Sequence, residues 1–378
     1  MDSLFFELIQ VALGTRNCLS MNPSGEEWLV LFEWCEKQAI TGVVFSALVR
    51  LNEQGLKPPK KQLFEWIGLY EQLKGQNALM NTEASKLTKM LENEGHRTAI
   101  LKGQANALLY PDPLSRQPGD VDIWVNGGMV RIEQTLRRLT LLEGELSKYH
   151  SDHVKRNYHH IHLPRNGNGI DVEVHFRPSC GNRDPFTNRR LQAFLKAEID
   201  RDNELTESGF RIPSLKFALV MQLAHIQRHF LESGVGMRQV IDFFYLLKKC
   251  YIDGSEITEV VAPARLNRMG LKHISEALMW VLHEKLALEK KYLIAPIDKK
   301  RGELLLAVIM EGGNFGQYSQ QRKKGFTIAR SLKYRLMNYK FLKFDARETI
   351  WGELNYMASF VISIPERFRR RSWTLRRK

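Results

Sequence analysis

Two aspartates spaced two residues apart are the side chains of this sequence best suited to chemistry. Asp120 and Asp122 stand at the start of residues 120–125, Asp-Val-Asp-Ile-Trp-Val, which alternate as a strand does. Side chains two apart in a strand point to the same face. Two carboxylates on one face repel each other unless a cation lies between them. Because carboxylate oxygens are preferred ligands of Mg²⁺ and Mn²⁺, the pair predicts a site for one of these ions.

Three residues on the N-terminal side of this pair carry groups suited to binding phosphate. Lys102 and Gly103 directly follow residues 98–101, a short buried-strand pattern, and precede a short helical stretch over 104–110. A lysine and a glycine at such a turn offer a cation and a bare backbone, with a helix N-terminus behind them. Arg116 lies four residues before Asp120 and is close enough to reach the same space.

A hairpin further along the chain supplies a third carboxylate. Residues 158–164 and 170–176 both alternate, and Asn166-Gly167-Asn168-Gly169 between them is typical of a turn. A symmetric turn pairs residues whose numbers sum to 335, which sets His162 opposite Glu173 and His160 opposite His175. Asp171 and Glu173 share one face of the second strand, so either could complete the metal site. Three carboxylates in one cleft also predict a raised pKa for at least one of them without metal.

The surrounding patterns divide the chain into four segments. Apolar residues recur three or four apart over much of 1–94, which predicts helices. Residues 95–180 predict a small unit of strands and helices, and after Cys180 only helices are expected, over 214–232, 237–250 and 272–310. The predicted organisation is a helical segment (1–94), an α/β core (95–180), a helical domain (181–320) and a basic helical region (321–378).

Several short runs of the core resemble the uncharacterised nucleotidyltransferase family of bacteria, within the DNA-polymerase-β-like nucleotidyltransferase superfamily. The resemblance covers roughly residues 95–320 and is strongest over 100–125. The matching runs are Ile100-Leu101-Lys102-Gly103, Tyr110-Pro111-Asp112-Pro113 with Arg116, Gly119-Asp120-Val121-Asp122-Ile123, Val172-Glu173-Val174-His175 and residues 236–242. Gln104 departs from the pattern, because the superfamily has a second small residue there.

This resemblance implies an α/β (α+β) fold: a small nucleotidyltransferase core of mixed sheet and helices, flanked by helical segments. It implies a Mg²⁺- or Mn²⁺-dependent enzyme that moves a nucleotidyl group from an NTP to an acceptor hydroxyl or phosphate. Asp120, Asp122 and Glu173 would be the catalytic and metal-binding residues, with Glu173 activating the acceptor. Lys102, Gly103 and Arg116 would bind the nucleotide.

Two other functions compete with this interpretation. A glycosyltransferase also holds a metal with a D-x-D motif, but it needs a longer parallel sheet before that motif than this sequence offers. The second alternative is a non-catalytic scaffold of the same fold that docks on RNA or membrane.

Two histidines and an Arg-Asp pair on predicted helices also invite functional interpretations. His225 and His229 share a helical face, but Ile226 stands where a metalloprotease has Glu, so packing or substrate contact is favoured over zinc. Arg238 and Asp242, also four apart, predict an ion pair within their helix, with contact between Arg238 and the triphosphate as the alternative.

The net charge of +14 is concentrated at the C-terminal end of the chain. Residues 321–378 hold sixteen Lys and Arg against four acids. Such a block predicts a polyanionic partner, either RNA or an anionic membrane surface, with a merely solvated end as the alternative. No apolar run is long enough to span a bilayer, and the four cysteines have neither zinc nor disulfide spacing. We therefore expect a cytoplasmic protein, with peripheral membrane association as an option.

Overall fold

The computed structural model describes residues 1–142, 156–164, 169–201, 203–232, 234–253, 262–314 and 339–358. The first 94 residues form four helices, as the apolar spacing predicts: α1 (Asp2–Leu13), α2 (Gly25–Lys37), α3 (Thr41–Glu53) and α4 (Lys60–Asn93). Helix α2 begins with a capping box, in which Ser24 and Glu27 satisfy each other's backbone N–H groups. Helix α4 begins after Pro59, and Gly95, at a φ of 77°, follows its end.

The sheet of the core has four strands in the order β1-β2-β4-β3. They are β1 (Thr98–Ile100), β2 (Val121–Val125), β3 (His160–His162) and β4 (Val172–His175). Strand β2 pairs antiparallel with β1 and parallel with β4, so the sheet is mixed. Helices α5 (Gln104–Ala107) and α6 (Gly128–Arg138) accompany these strands.

The hairpin register predicted from the sequence is confirmed. Strands β3 and β4 pair antiparallel with His160 opposite His175 and His162 opposite Glu173. The parallel pairing of β2 with β4 then sets Asp122 beside Glu173. Neighbouring strands lie about 4.8 Å apart, so this register alone brings the two carboxylates together. The central turn residues, 165–168, lie outside the described part of the chain.

The second half of the chain is mainly helical, as expected, with two corrections. Its helices are α7 (Pro185–Ile199), α8 (Leu215–Glu232), α9 (Met237–Asp253), α10 (Pro263–Arg268), α11 (Lys272–Trp280), α12 (Lys299–Gly312) and a helix over 346–358. The expectation that strands end after Cys180 is wrong, because β5 (Glu204–Leu205) and β6 (Arg211–Ile212) form a small second sheet. The helical pattern over 272–310 is also interrupted between α11 and α12, by a π-helical turn at Val281–Lys285 and a 3₁₀ turn at Lys290–Tyr292.

Buried apolar side chains form two clusters. One lies between the sheet, α6 and the second half of α4, and includes Ile123, Val174 and Leu87. The other joins α1–α3 to the helices after residue 185, so the first and third predicted segments share one core. Polar contacts cross the same boundary, since the Gln38 amide donates to the carbonyl of Ile309. The four-segment division itself stays a prediction. Within the described residues, no helix is both long and apolar enough to cross a bilayer.

Candidate active site

Asp122 is the buried centre of the candidate site. Its side chain is on the face of β2 that meets Glu173 of β4, and the residue is 1% exposed. Its Oδ1 accepts from the Lys102 ammonium at 3.2 Å and lies 2.9 Å from Nε2 of His175. Its Oδ2 is buried and has no hydrogen-bond partner among the residues that the structure describes. A buried carboxylate oxygen without a partner is costly, so this atom is suited to receive a ligand.

Glu173 joins Asp122 to a row of histidines. Its Oε2 lies 3.3 Å from Nε2 of His175 and 3.2 Å from Nδ1 of His160, and its Oε1 lies 3.4 Å from Nε2 of His162. Burial opposes ionisation of Glu173, but the hydrogen bond to His175 and the charge of Lys102 outweigh it. The pKa of Glu173 is therefore lowered. Repulsion does not raise the pKa of Glu173, because the cleft already holds compensating groups. The expectation that at least one of the three carboxylates has a raised pKa without metal stays a prediction.

Asp120 and Asp171 occupy different surroundings from Asp122. Asp120 lies just before β2, is partly exposed and lines the cavities beside Lys102. Asp122, Glu173 and His175 place ligand atoms within 4.8 Å of one another, and this group does not include Asp120. Asp171, the alternative third carboxylate, is exposed. The structure thus brings Asp122 and Glu173 together directly and sets Asp120 at the mouth of the same site.

Lys102 and Gly103 follow strand β1 and lie beside Asp122 and Asp120. Burial opposes the charge of Lys102, but Asp122, Asp120 and Glu173 outweigh it and raise the pKa of its ammonium. Gly103 has a φ of 61°, which favours glycine, and a Cβ there would lie 3.2 Å from the carbonyl oxygen of Asp120. The helix expected over 104–110 is only four residues long. Its dipole is correspondingly weak, and Lys102 is the main positive group at this turn.

Arg116 forms an ion pair with Asp242, which the sequence predicts to pair with Arg238. Its Nε and Nη2 each donate to Asp242 at 2.8 Å, and Tyr110 donates to the same carboxylate at 2.5 Å. The predicted Arg238–Asp242 pair is therefore not the main ion pair of Asp242. Arg238 instead donates through Nη1 to the carbonyls of Gln117 and Pro118. Both arginines thus fix the loop that leads into Asp120.

Two cavities adjoin the carboxylates. The smaller, about 20 Å³, lies between Lys102, Arg116 and Asp122 and has room for about one water molecule. The larger, about 930 Å³, lies between the β3–β4 hairpin, the loop 178–185 and α8. Its walls include Lys102, Asp120 and Glu173 on one side and Arg183 and Arg228 on the other. A cavity of this size is typical of a site for a small molecule.

His225 and His229 lie on the wall of the larger cavity, with ring centroids 4.3 Å apart. Burial, together with the charges of Lys102 and Arg228, lowers the pKa of His229 to about 3. In the described part of the chain, the groups of three or more metal-ligating atoms do not include these two residues. Their position on the cavity wall suits substrate contact.

Sequence reasoning missed the residues that line the cavity opposite the carboxylates. Arg183 and Arg228 come from the loop before α7 and from α8, and both contact Glu232. Asn182 and Ser179 lie on the same wall. The sequence places Arg228 between His225 and His229, and this spacing was the one feature that could have indicated its position on the cavity wall. A cavity wall built from distant segments has no other sequence pattern.

The donor atoms fit a hard divalent cation. Asp122 Oδ2 is buried without a partner, Glu173 offers a carboxylate within the same 4.8 Å group, and Asp120 lies beside them. Oxygen donors of this kind are the ones that Mg²⁺ and Mn²⁺ prefer. The metal ligand set itself stays a prediction.

The sheet, the paired carboxylates and the adjoining cavity define an α/β protein of nucleotidyltransferase type, which confirms the predicted fold class. The chain belongs to the uncharacterised nucleotidyltransferase family, whose family model matches residues 24–287. The bacterial origin expected from the resemblance is not tested by this match.

Among solved structures, the chain is similar to an antigenic nucleotidyltransferase-like protein from Paracoccidioides brasiliensis. The two share 15% identity over 59% of this chain and 96% of the other, with a TM-score of 0.35. No curated protein matches the chain.

Proposed function

We propose that the protein is a Mg²⁺- or Mn²⁺-dependent nucleotidyltransferase that moves a nucleotidyl group from an NTP to the hydroxyl or phosphate of an acceptor. The observation that carries this proposal is the unpartnered, buried Oδ2 of Asp122, beside Glu173 and beneath Lys102. Membership of the nucleotidyltransferase family supports the reaction class.

Asp120, Asp122 and Glu173 would hold the metal. When bound, such an ion neutralises charge on the phosphates and on the attacking and leaving oxygens. Lys102 is charged and lies in the same cleft, so it would attract the phosphates of the NTP. Gly103 leaves the backbone at this turn open to the phosphates. Arg116, held by Asp242, would act mainly by fixing residues 117–120 and would present its remaining edge to the small cavity.

Glu173 is suited to take the proton of an acceptor hydroxyl. The acceptor oxygen would then bond to the α-phosphorus of the NTP, while the bond from that phosphorus to the β-phosphate breaks and pyrophosphate leaves. Glu173 faces the larger cavity, and its lowered pKa keeps it ionised at neutral pH. His160, His162 and His175 hold its two oxygens in place. The acceptor would occupy the larger cavity, whose wall carries Arg183 and Arg228 together with their partner Glu232 and so favours a strongly polar molecule.

The proposal is tested by incubating the purified protein with each α-labelled NTP, Mg²⁺ and cell extract, and by following the label. We expect one NTP to label one acceptor fraction, and Asp120→Asn to abolish the transfer. Asp200→Asn, at a surface ion pair with Arg97, is the matched control and should keep it. No Mg²⁺-dependent transfer from any NTP would favour the scaffold function instead.

We further propose that the basic C-terminal region binds a polyanion. Residues 321–338 and 359–378 lie outside the described part of the chain, so this proposal depends on charge alone. Removal of residues 366–378 should weaken binding to RNA or to anionic liposomes and reduce its dependence on salt. Unchanged binding after truncation would mean that this end is only solvated.

A further inference from the structure

The edge strand of the sheet carries a group of metal-binding side chains that the proposed reaction leaves partly unused. His160 and His162, on β3, lie against Glu173 on β4, and all three place ligand atoms within 4.8 Å of one another. Nε2 of His160 is 3.0 Å from Nε2 of His162, which is 3.4 Å from Oε1 of Glu173. We propose that His160, His162 and Glu173 form a binding site for one divalent transition-metal ion of the Zn²⁺ type.

The spacing of these atoms fits such an ion. Zn²⁺ binds imidazole nitrogen at about 2.0–2.1 Å in a tetrahedron, so neighbouring ligand atoms lie about 3.3–3.4 Å apart. The observed separations of 3.0 and 3.4 Å are close to this value before any adjustment. Imidazole nitrogens favour Zn²⁺ and similar ions, whereas Mg²⁺ prefers a shell of oxygens. Glu173 belongs to both proposed donor sets, but here two imidazole nitrogens stand in place of the carboxylates of Asp120 and Asp122. This set therefore favours a different ion from the carboxylate set.

Asn157 is placed to provide a fourth ligand. Its amide lies 2.5 Å from Nε2 of His160 and 3.3 Å from Nε2 of His162. The amide oxygen and nitrogen have nearly the same shape, so a half-turn of the group presents Oδ1 in place of Nδ2. Asn157 then offers an oxygen beside the ligand nitrogens of His160 and His162.

The groups around these ligands match the supporting contacts of a metal site. Metal-binding histidines usually hydrogen-bond through their other ring nitrogen to a carboxylate or a neighbouring polar group. Nδ1 of His160 lies 3.2 Å from Oε2 of Glu173 and 3.0 Å from Nε2 of His159. The side chain of His162 is 29% exposed, which gives an ion a route from solvent.

A neighbouring group of three histidines is less suited to the ion. His159, His160 and His175 also place ligand atoms within 4.8 Å. Nε2 of His175 is already engaged by Asp122 at 2.9 Å, however, so binding there would break a contact of the carboxylate site. Binding by His160, His162 and Glu173 does not use Nε2 of His175 and leaves its contact with Asp122 in place.

The test measures Zn²⁺ binding by metal-free protein in competition with a chromogenic chelator, with no nucleotide present. We expect one Zn²⁺ per chain, and His162→Ala should weaken binding by at least about tenfold. His160→Ala should act in the same direction. His273→Ala removes a histidine of α11 outside the cluster and should leave binding unchanged.

Asp120→Asn separates this proposal from the proposed reaction. That variant should lose nucleotide-dependent effects and keep Zn²⁺ binding, because Asp120 is not part of the histidine group. Failure of wild-type protein to compete with the chelator, or equal Zn²⁺ affinity in wild type and His162→Ala, would overturn the proposal. Circular dichroism checks the fold of each variant, and His162→Ala, at a part-exposed edge position, decides the result if His160→Ala does not fold.

Discussion

Asp122 and Asp242 are both 1% exposed, yet their hydrogen bonding differs. Both oxygens of Asp242 are satisfied, by two nitrogens of Arg116, by Tyr110 and by Asn106. Within the described part of the chain, Asp122 uses only Oδ1 and leaves Oδ2 without a partner. Because a buried charge is stable only when it is fully compensated, Asp242 has the contacts of a structural anchor. Asp122 keeps one unsatisfied oxygen and is therefore suited to bind a ligand.

The charged groups around the two aspartates differ in the same way. Burial raises the pKa of Asp242, but Arg116 and Tyr110 outweigh burial, so the pKa is lowered and the pair stays charged. Around Asp122 the compensating groups are Lys102 and His175, and both also face the larger cavity. We call Asp242 with Arg116, Tyr110 and Asn106 the closed cluster, because these groups satisfy one another. We call Asp122 with Glu173, Lys102 and His175 the open cluster, because the last three line the larger cavity.

The first prediction concerns the closed cluster and has the largest expected effect. Asp242→Asn leaves the buried Arg116 without its counter-charge, so the free energy of unfolding should fall by about 3–5 kcal/mol. Denaturant unfolding measures the change. Asp200→Asn breaks the exposed pair with Arg97 and should cost about 0–1 kcal/mol. Similar losses for the two variants would contradict the anchor role of Asp242.

The second prediction concerns the turn beside the open cluster. Gly103→Ala introduces a Cβ at a φ of 61° and at 3.2 Å from the carbonyl of Asp120. The strain should reduce the free energy of unfolding by about 1–2 kcal/mol and should also weaken NTP binding by displacing Asp120. Calorimetric titration with Mg²⁺-NTP measures the second effect. Gly75→Ala, inside α4 with open space around its Cβ, is the control and should not destabilise. Unaltered NTP affinity in Gly103→Ala would remove this turn from the site.

The third prediction concerns the pH dependence of stability that a histidine on the cavity wall produces. The pKa of His229 is about 3 in the folded protein because of burial and nearby cations, against an ordinary value of about 6.5. Between these pH values the unfolded chain binds a proton that the folded chain does not. Stability should therefore be complete above pH 6.5 and fall as the pH drops towards 3, by less than about 1.4 kcal/mol per pH unit for this group.

His229→Gln should flatten this part of the stability profile, which denaturant unfolding at several pH values between 4 and 8 would show. Parallel profiles for wild type and variant would contradict the assignment.

The sequence predicted the local features of the site and missed the long-range ones. The D-x-D strand, the hairpin register and the helices of the first 94 residues follow from alternation, turn residues and apolar spacing, which act over a few residues. The partner of Asp242 could not be predicted, because Arg116 lies 126 positions away and only the packing of α9 against the core brings the two together. The short strands β5 and β6 were missed for a related reason, since two residues are too few to show alternation.

The two aspartates differ in the stability expected of their asparagine variants. Mutual repulsion predicts that Asp122→Asn has equal or higher stability. Lys102 and His175 lie against Asp122, so Asp122→Asn removes the negative charge that stabilises the Lys102 ammonium and accepts from His175. The variant should therefore have a modestly lower free energy of unfolding. Asp120 is partly exposed, so Asp120→Asn should change stability by less than about 0.5 kcal/mol. Asp120→Asn is therefore the cleaner variant for testing function.

The most direct test of the open cluster is thermal melting of wild type and Asp120→Asn, each with and without Mg²⁺ and NTP. A ligand that binds only the folded state raises the melting temperature, so wild type should melt higher with Mg²⁺ and NTP together than with either alone. Asp120→Asn should melt at the wild-type temperature without ligand and show no rise with it. A wild type that shows no rise, or a variant that keeps the full rise, would contradict the assignment of these carboxylates as a metal-nucleotide site.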